Sequence, residues 1–356
     1  MKGANGKGRW GGKLLGVVLC GALVLCIRPG SMAQSGEETC YVALGDSISN
    51  GYGLEDETQR FTQQVACENG FTLLSLAQNG ETSHTLLERL QEPEAMQAVA
   101  QADVISITIG GNDLMNALYE YLTQRYNESN PDTLTTVEQT REALMGGEVP
   151  MLTFAMGEIQ GFSASDQEQE ALTQFAHNLA QAVAKIQAAN PEACLVVANQ
   201  YNPYSYLLRQ FAQYPPFAGA AQEMGEAFGG GVSALNTAIA TVGQQMGCSV
   251  VDVYTVFEKA QKNPCNADVT AFAKVNLDFH PNAYGHRLIA QAVTAATHQQ
   301  LQISGQGAQT VNGQTTQLTL PQDKPMGWKW AIPMCGTGLV LLCGIVWGRR
   351  THNKGR

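Results

Sequence analysis

The sequence predicts an α/β protein built as three α/β/α layers, with a five-stranded parallel sheet covered by helices on both faces. Three observations carry this. Short runs rich in aliphatic and β-branched residues alternate with longer segments of helical periodicity, the pattern of strands joined by helical crossovers. The short runs are apolar almost throughout, as strands buried on both sides are. The long segments repeat apolar residues at the spacing of a helix face. With 356 residues, 44% of them apolar, the chain is long enough for one large domain or two ordinary ones and can bury a sizeable core.

The strands are expected at Tyr41 to Leu44, Phe71 to Leu76, Val104 to Ile109, Leu195 to Asn199, and Ser249 to Val253. Helical periodicity marks Phe61 to Cys67, Leu86 to Leu90, Leu172 to Ala189, and Val232 to Met246, where Gly247 is a C-terminal stop. A last helix over Ala283 to Ala296 carries Leu288, Ile289, Ala292 and Val293 at core spacing. Two connections are long. Leu114 to about Ser165 holds Met145, Met151 and Met156, and Tyr201 to Gly231 holds Tyr204, Tyr206, Leu207, Leu208, Phe211, Pro215, Pro216 and Phe217. Both follow carboxyl ends of strands, where open α/β sheets bind ligands, so they read either as lids and binding loops or as insertions packed on the domain.

Around this body the sequence expects processing and anchoring segments. Lys2, Lys7, Arg9 and Lys13 precede an apolar run from Leu14 to Ile27, and Ser31-Met32-Ala33 offers small residues for cleavage, the form of a signal peptide over residues 1–33. The body is then residues 38–301. Residues 302–329, rich in Gln, Gly and Thr, read as a flexible stalk. Residues 330–348 are apolar and bounded by Trp328, Trp330 and Trp347, and the tail 349–356 carries Arg349, Arg350, Lys354 and Arg356. The positive-inside rule therefore expects a single-pass membrane anchor with the body outside the cell. Leu320-Pro321-Gln322 is similar to a cell-wall sorting signal but continues as Asp323-Lys324, so a plain anchor is preferred.

Chemistry concentrates at three strand or helix boundaries. The first strand ends in Gly45-Asp46-Ser47, where a glycine-opened turn can lift a serine hydroxyl to the sheet's upper edge, although the same triplet is ordinary turn chemistry. The third ends in Gly110-Gly111-Asn112-Asp113, where glycines admit a ligand to the backbone and an asparagine amide can donate to a developing oxyanion; a capped helix start would use the same residues. His280-Pro281-Asn282 stands just before the last helix and leaves His280 on a loop. No GxSxG elbow of an ordinary α/β-hydrolase occurs.

Taken in order, these three blocks resemble the SGNH (GDSL) hydrolase family over roughly Cys40 to Thr297. The resemblance implies a flavodoxin-like sheet and a serine esterase or lipase acting through an acyl-enzyme. Its four name-giving residues fall on Ser47, Gly80, Asn112 and His280. Ser47 is then the nucleophile and His280 its base, with the Ser47 and Gly80 amides and the Asn112 side chain as oxyanion hole. The family's usual acid lies three residues before the histidine, where this chain has Leu277. That leaves Asp278 as the nearby carboxylate, a backbone carbonyl in its place, or Asp252 as a lesser candidate. Asp46 and Asp113 are expected to brace turns through nearby amides. His84, His177 and His286 are expected at the surface.

The implied substrate is a small-molecule, lipid or glycan ester; an acyltransferase on the same site and a non-catalytic glycan- or lipid-binding module are the competing readings. No cofactor and no metal is implied. The net charge of −10 and pI near 5.1 argue against a nucleic-acid partner. Five cysteines lie outside the leader and anchor: Cys40, Cys67, Cys194, Cys248 and Cys265. The family's sheet order would set Cys194 beside Cys248, and Cys40 and Cys67 both fall near the lower sheet edge, so two disulfides are expected as candidates.

Overall fold

A computed structural model describes residues 38–163, 165–213, 218–267 and 278–307. Five strands, β1 (Cys40–Gly45), β2 (Thr72–Ser75), β3 (Val104–Thr108), β4 (Cys194–Ala198) and β5 (Ser249–Val251), form one parallel sheet in the order β2-β1-β3-β4-β5. β3 and β4 are buried along their whole length, as continuous apolar runs require. The sequence places each strand to within one or two residues. The chain leaves β1 toward β2 on one side and returns as β3 on the other, so the carboxyl ends of β1 and β3 flank a topological switch point.

Alternate side chains of each strand feed two cores. On one face Val42, Leu44, Ile105, Ile107 and Val197 pack with Leu86, Val99, Phe175, Leu179 and Ile239, which come from α3 (Ser83–Arg89), α4 (Pro93–Gln101), α8 (Asp166–Ala189) and α10 (Ala218–Met246). On the other, Tyr41, Ala43, Val104 and Val196 pack with Phe61, Phe257, Ile289 and Val293 of α2 (Phe61–Asn69), α11 (Val253–Glu258) and α12 (Ala283–Gly307). A four-residue α1 (Ser47–Asn50) follows β1.

The long connection after β3 is helical: α5 (Gly111–Ser129), α6 (Val137–Met145) and α7 (Val149–Phe162) close on their own core of Ala117, Tyr121, Leu122 and Phe162. Met151 is buried, and Met145 is exposed. The second connection holds α9 (Ser205–Ala212) and the start of α10. There Tyr201 stacks on Phe257, Tyr204 packs on Phe279, and Leu207 and Leu208 are buried, so these apolar residues pack the segment onto the domain.

Three expectations are corrected. Cys40, Cys67, Cys194 and Cys248 are free thiols, because each expected pair straddles the sheet: Cys40 and Cys248 pack on one face, whereas Cys194 and α2, which carries Cys67, belong to the other. His286 is fully buried, since α12 turns it onto α2, where its Nδ1 accepts from the Phe61 amide at 3.3 Å and the rings stack at 6.2 Å. His84 and His177 are exposed, as expected. The last helix runs to Gly307, past the expected end of the body at residue 301. The expected signal peptide, the stalk beyond residue 307, the anchor and the tail lie outside the described residues, as does Leu277. Among the described residues no helix is long and apolar enough to cross a membrane.

Candidate active site

Ser47 owes its place to a glycine. At Gly45 φ is +110°, and a Cβ there would lie 1.9 Å from the Thr108 carbonyl oxygen, so only glycine lets β1 and β3 meet at this register. The next residue, Asp46, is locked to β3: its amide donates to Thr108 O at 2.9 Å, and its Oδ1 accepts from Thr108 Oγ1 at 2.7 Å and from the Ile48 amide at 3.0 Å. This N-cap starts α1 with Ser47 as its first residue, and Gly51 at φ +80° ends it. Ser47 is 8% exposed at the sheet's carboxyl edge. Burial pushes the Asp46 carboxyl up to about 7 against the pull of its two donors, and the nearby Glu81 and Asp113 carboxylates add to the rise.

His280 reaches Ser47 from the far end of the chain. Its Nε2 lies 3.0 Å from Ser47 Oγ, and its Nδ1 lies 2.6 Å from Asp278 Oδ1, which also accepts from the His280 amide at 3.1 Å. Asp278 Oδ2 accepts from Asn266 Nδ2 at 2.9 Å. The Cys265–Pro281 bridge and the Asn266 amide, which donates to His280 O at 2.9 Å, hold this loop. Asn282 fixes it from the other side: its Oδ1 accepts from the Tyr284 and Gly285 amides, and its Nδ2 donates to the carbonyls of Asn263 and Cys265. Tyr52, 46% exposed, lays its ring 4.6 Å from the imidazole.

Of the partners left open for His280, the hydrogen bond goes to Asp278. Asp252 instead caps α11, accepting from the Thr255 amide and from Asn199 Nδ2, and its carboxyl is held below the usual range.

Gly80 and Asn112 stand on the two neighbouring strand ends. Gly110, at φ +109° with Phe175 where a Cβ would be, turns the chain into α5 so that Asn112 falls in its first turn. Asn112 Nδ2 donates to the Glu81 carbonyl at 2.9 Å. The loop bearing Gly80, at φ +79°, is tied to the serine turn by Gln78 N donating to Gly45 O and by Asn50 Nδ2 donating to Asn79 Oδ1. Asp113 braces the same loop by accepting from the Ser83 amide and hydroxyl. Ser47, His280 and Asp278 therefore form one hydrogen-bonded chain, while Asn112 and Gly80 join it through the peptide of Glu81 and the loop before it.

Sequence reasoning missed four residues at this site: Tyr52, Asn266, Glu81 and Arg89. Tyr52, Asn266 and Arg89 reach the site by side-chain contacts, and Glu81 through its backbone carbonyl, and spacing encodes none of these meetings. Among the described residues no cluster of three or more His, Cys, Asp or Glu could hold a metal ion. A groove of about 410 Å³ lined by Asn199, Ser233, Asn236, Thr237 and Tyr254 shares no residue with the Ser47–His280 pair.

Residues 43–288 match the GDSL-like Lipase/Acylhydrolase family. The chain is 23% identical over 269 residues to the uncharacterized protein YpmR of Bacillus subtilis, covering 73% of this chain and 82% of that protein. It is 36% identical over 87 residues to the spore germination lipase LipC of Bacillus licheniformis, which is 23% of this chain and 41% of that protein. Among solved structures, a lipase from a goat rumen metagenome is similar at a TM-score of 0.47 and 21% identity, covering 72% of this chain and 97% of that one. A family match that spans the sheet, the serine turn and the histidine loop means that this chain belongs to the GDSL-like lipase/acylhydrolase family and is an ester-hydrolysing enzyme.

Proposed function

We propose that the protein is a serine esterase that cleaves carboxylic esters of lipid, lysophospholipid or acetylated-sugar type through an acyl-enzyme. The unbroken hydrogen-bonded chain Ser47 Oγ–His280 Nε2, His280 Nδ1–Asp278 Oδ1 carries this reading. His280 takes the Ser47 proton as Oγ bonds to the ester carbonyl carbon, and the carbonyl electrons move onto oxygen. Collapse of this tetrahedral species expels the alkoxide, which takes the proton from His280 Nε2 and leaves as alcohol. Water then repeats the sequence on the acyl-Ser47 ester, releasing the acid and restoring the serine. Asp278 holds the imidazole with Nδ1 protonated and offsets its charge when both nitrogens are protonated. The backbone amides of Ser47 and Gly80 and the Nδ2 of Asn112 are the oxyanion donors. Asn112 has two Nδ2 hydrogens; one is given to Glu81 O, and the other serves the oxyanion. The stretch shared with a lipase favours a lipid acyl group among the three classes.

The test is hydrolysis of p-nitrophenyl acetate, butyrate and octanoate by the soluble segment 34–307, beside Ser47→Ala and His280→Ala, with fluorophosphonate labelling. Turnover and labelling lost with Ser47 support the reading; full turnover by Ser47→Ala rejects it. We also propose, from the basic, apolar and stalk-like terminal segments, that the enzyme is exported and held on the outer face of the cell membrane. Protease accessibility of the body on intact cells tests this, and protection of the body would refute it.

A further inference from the structure

Glu81 is a glutamate only 3% exposed, on the loop that carries Gly80. Its Oε1 accepts from Arg89 Nε at 2.6 Å, and the Arg89 side chain is itself 11% exposed. Arg89 is the last residue of α3, so the ion pair ties the two ends of that helix region together under the loop. Burial pushes the Glu81 carboxyl up although Arg89 pulls it down, and its Oε2 has no hydrogen-bond donor among the described residues. Taking two charges out of water is an unfavourable way to hold an ordinary surface turn. What distinguishes this turn is its backbone: the Glu81 carbonyl is the acceptor for Asn112 Nδ2, and the preceding residue is Gly80.

We propose that the buried Glu81–Arg89 pair is a positioning device for the oxyanion site, fixing the Gly80–Glu81 backbone so that Asn112 and the Gly80 amide stay aimed at the same point. This rests on the serine-esterase reading above. Neither side chain touches the reacting atoms; both act through the loop backbone. The device is sensitive because oxyanion donors lose most of their effect when displaced by about 1 Å. Ser83, clamped by Asp113 and by Asn178 Nδ2 at 3.0 Å, secures the following residues, so the ion pair governs the stretch between the serine turn and α3.

The experiment compares Glu81→Gln, Arg89→Met, Glu81→Leu/Arg89→Met, Asn112→Ala and Glu81→Gln/Asn112→Ala in kcat, KM and melting temperature, with Ser47→Ala as reference. Glu81→Gln is expected to lower kcat roughly ten- to hundredfold while KM moves less than about threefold, because the lost interaction serves the transition state. The apolar double replacement removes both charges together and is expected to fold as well as the wild type yet keep the low kcat, which separates positioning from stability. In the Asn112→Ala background, Glu81→Gln is expected to cost several-fold less than it does alone, since one of the two donors it positions is already gone and only the Gly80 amide remains to be displaced. Wild-type kcat in the folded double replacement, or multiplicative losses for Glu81→Gln and Asn112→Ala, would overturn the proposal while leaving the serine reading intact. Turnover by Ser47→Ala would overturn both.

Discussion

At the level of single residues, the histidine loop and two buried titratable groups make distinct predictions. Asp278→Asn keeps the shape of the loop but leaves His280 Nδ1 facing an amide, so kcat is expected to fall roughly 10²–10⁴-fold with KM little changed, measured on p-nitrophenyl butyrate. An undiminished kcat would move the orienting role elsewhere. His286 and Asp46 predict opposite pH effects on stability. Burial, with His280 and Arg60 nearby, lowers His286 from its ordinary 6.5 to about 4. Between those values the unfolded chain binds the extra proton, so stability present above pH 6.5 is lost as pH falls toward 4, by about 3 kcal/mol at most. Asp46 is raised from 3.8 to about 7, so its contribution is complete below pH 3.8 and is lost as pH rises through 7. Urea midpoints between pH 4 and 7 should therefore tilt in opposite directions for His286→Gln and Asp46→Asn relative to wild type. Parallel profiles would show that neither group is as buried in solution.

At the level of elements, the site is a set of loop ends held by caps and glycines, and two of these holds are testable. Gly45→Ala would drive a methyl into the Thr108 carbonyl at a positive φ, where neither backbone can yield without breaking the β1–β3 register. A loss of at least about 3 kcal/mol, or failure to fold, is expected by thermal melting; a wild-type midpoint would refute it. Asn282→Ala removes the α12 cap and two bonds to the 263–265 segment. It is expected to cost about 1–2 kcal/mol in stability and to lower kcat by more than this implies, because the same segment supports Asp278 through Asn266. Both elements were legible as motifs, a glycine before a serine and Pro-Asn before a helix, since turn and cap chemistry is local. The partner that each one meets was not legible: Thr108 and the 263–265 segment are brought there by the sheet and by the α11–α12 crossing.

At the level of the whole molecule, the two-faced sheet decides the fate of the thiols. With Cys40 and Cys248 on one side, and Cys194 and the Cys67-bearing α2 on the other, no expected pair can close without moving the sheet. Thiol titration of the native soluble segment should find Cys67 reacting fast, with buried Cys194 and Cys265 unreactive until denaturation. Burial pushes the Cys194 thiol up to about 11, which slows it further. A disulfide found by intact mass would contradict this arrangement.

The sequence alone determined the α/β class, the five strands and the blocks that hold Ser47, Asn112 and His280, because continuous apolar runs, helical periodicity and glycine-rich strand ends are written in neighbouring residues. It also limited the carboxylates for His280 to Asp278 and Asp252. Only the tertiary structure decided between them, set Asn112 on the Glu81 carbonyl, buried His286 against Phe61 and separated the cysteines by a sheet. Those outcomes depend on which face of a strand or helix meets which partner across a separation of tens to hundreds of residues. Packing fixes that choice, and local pattern does not encode it.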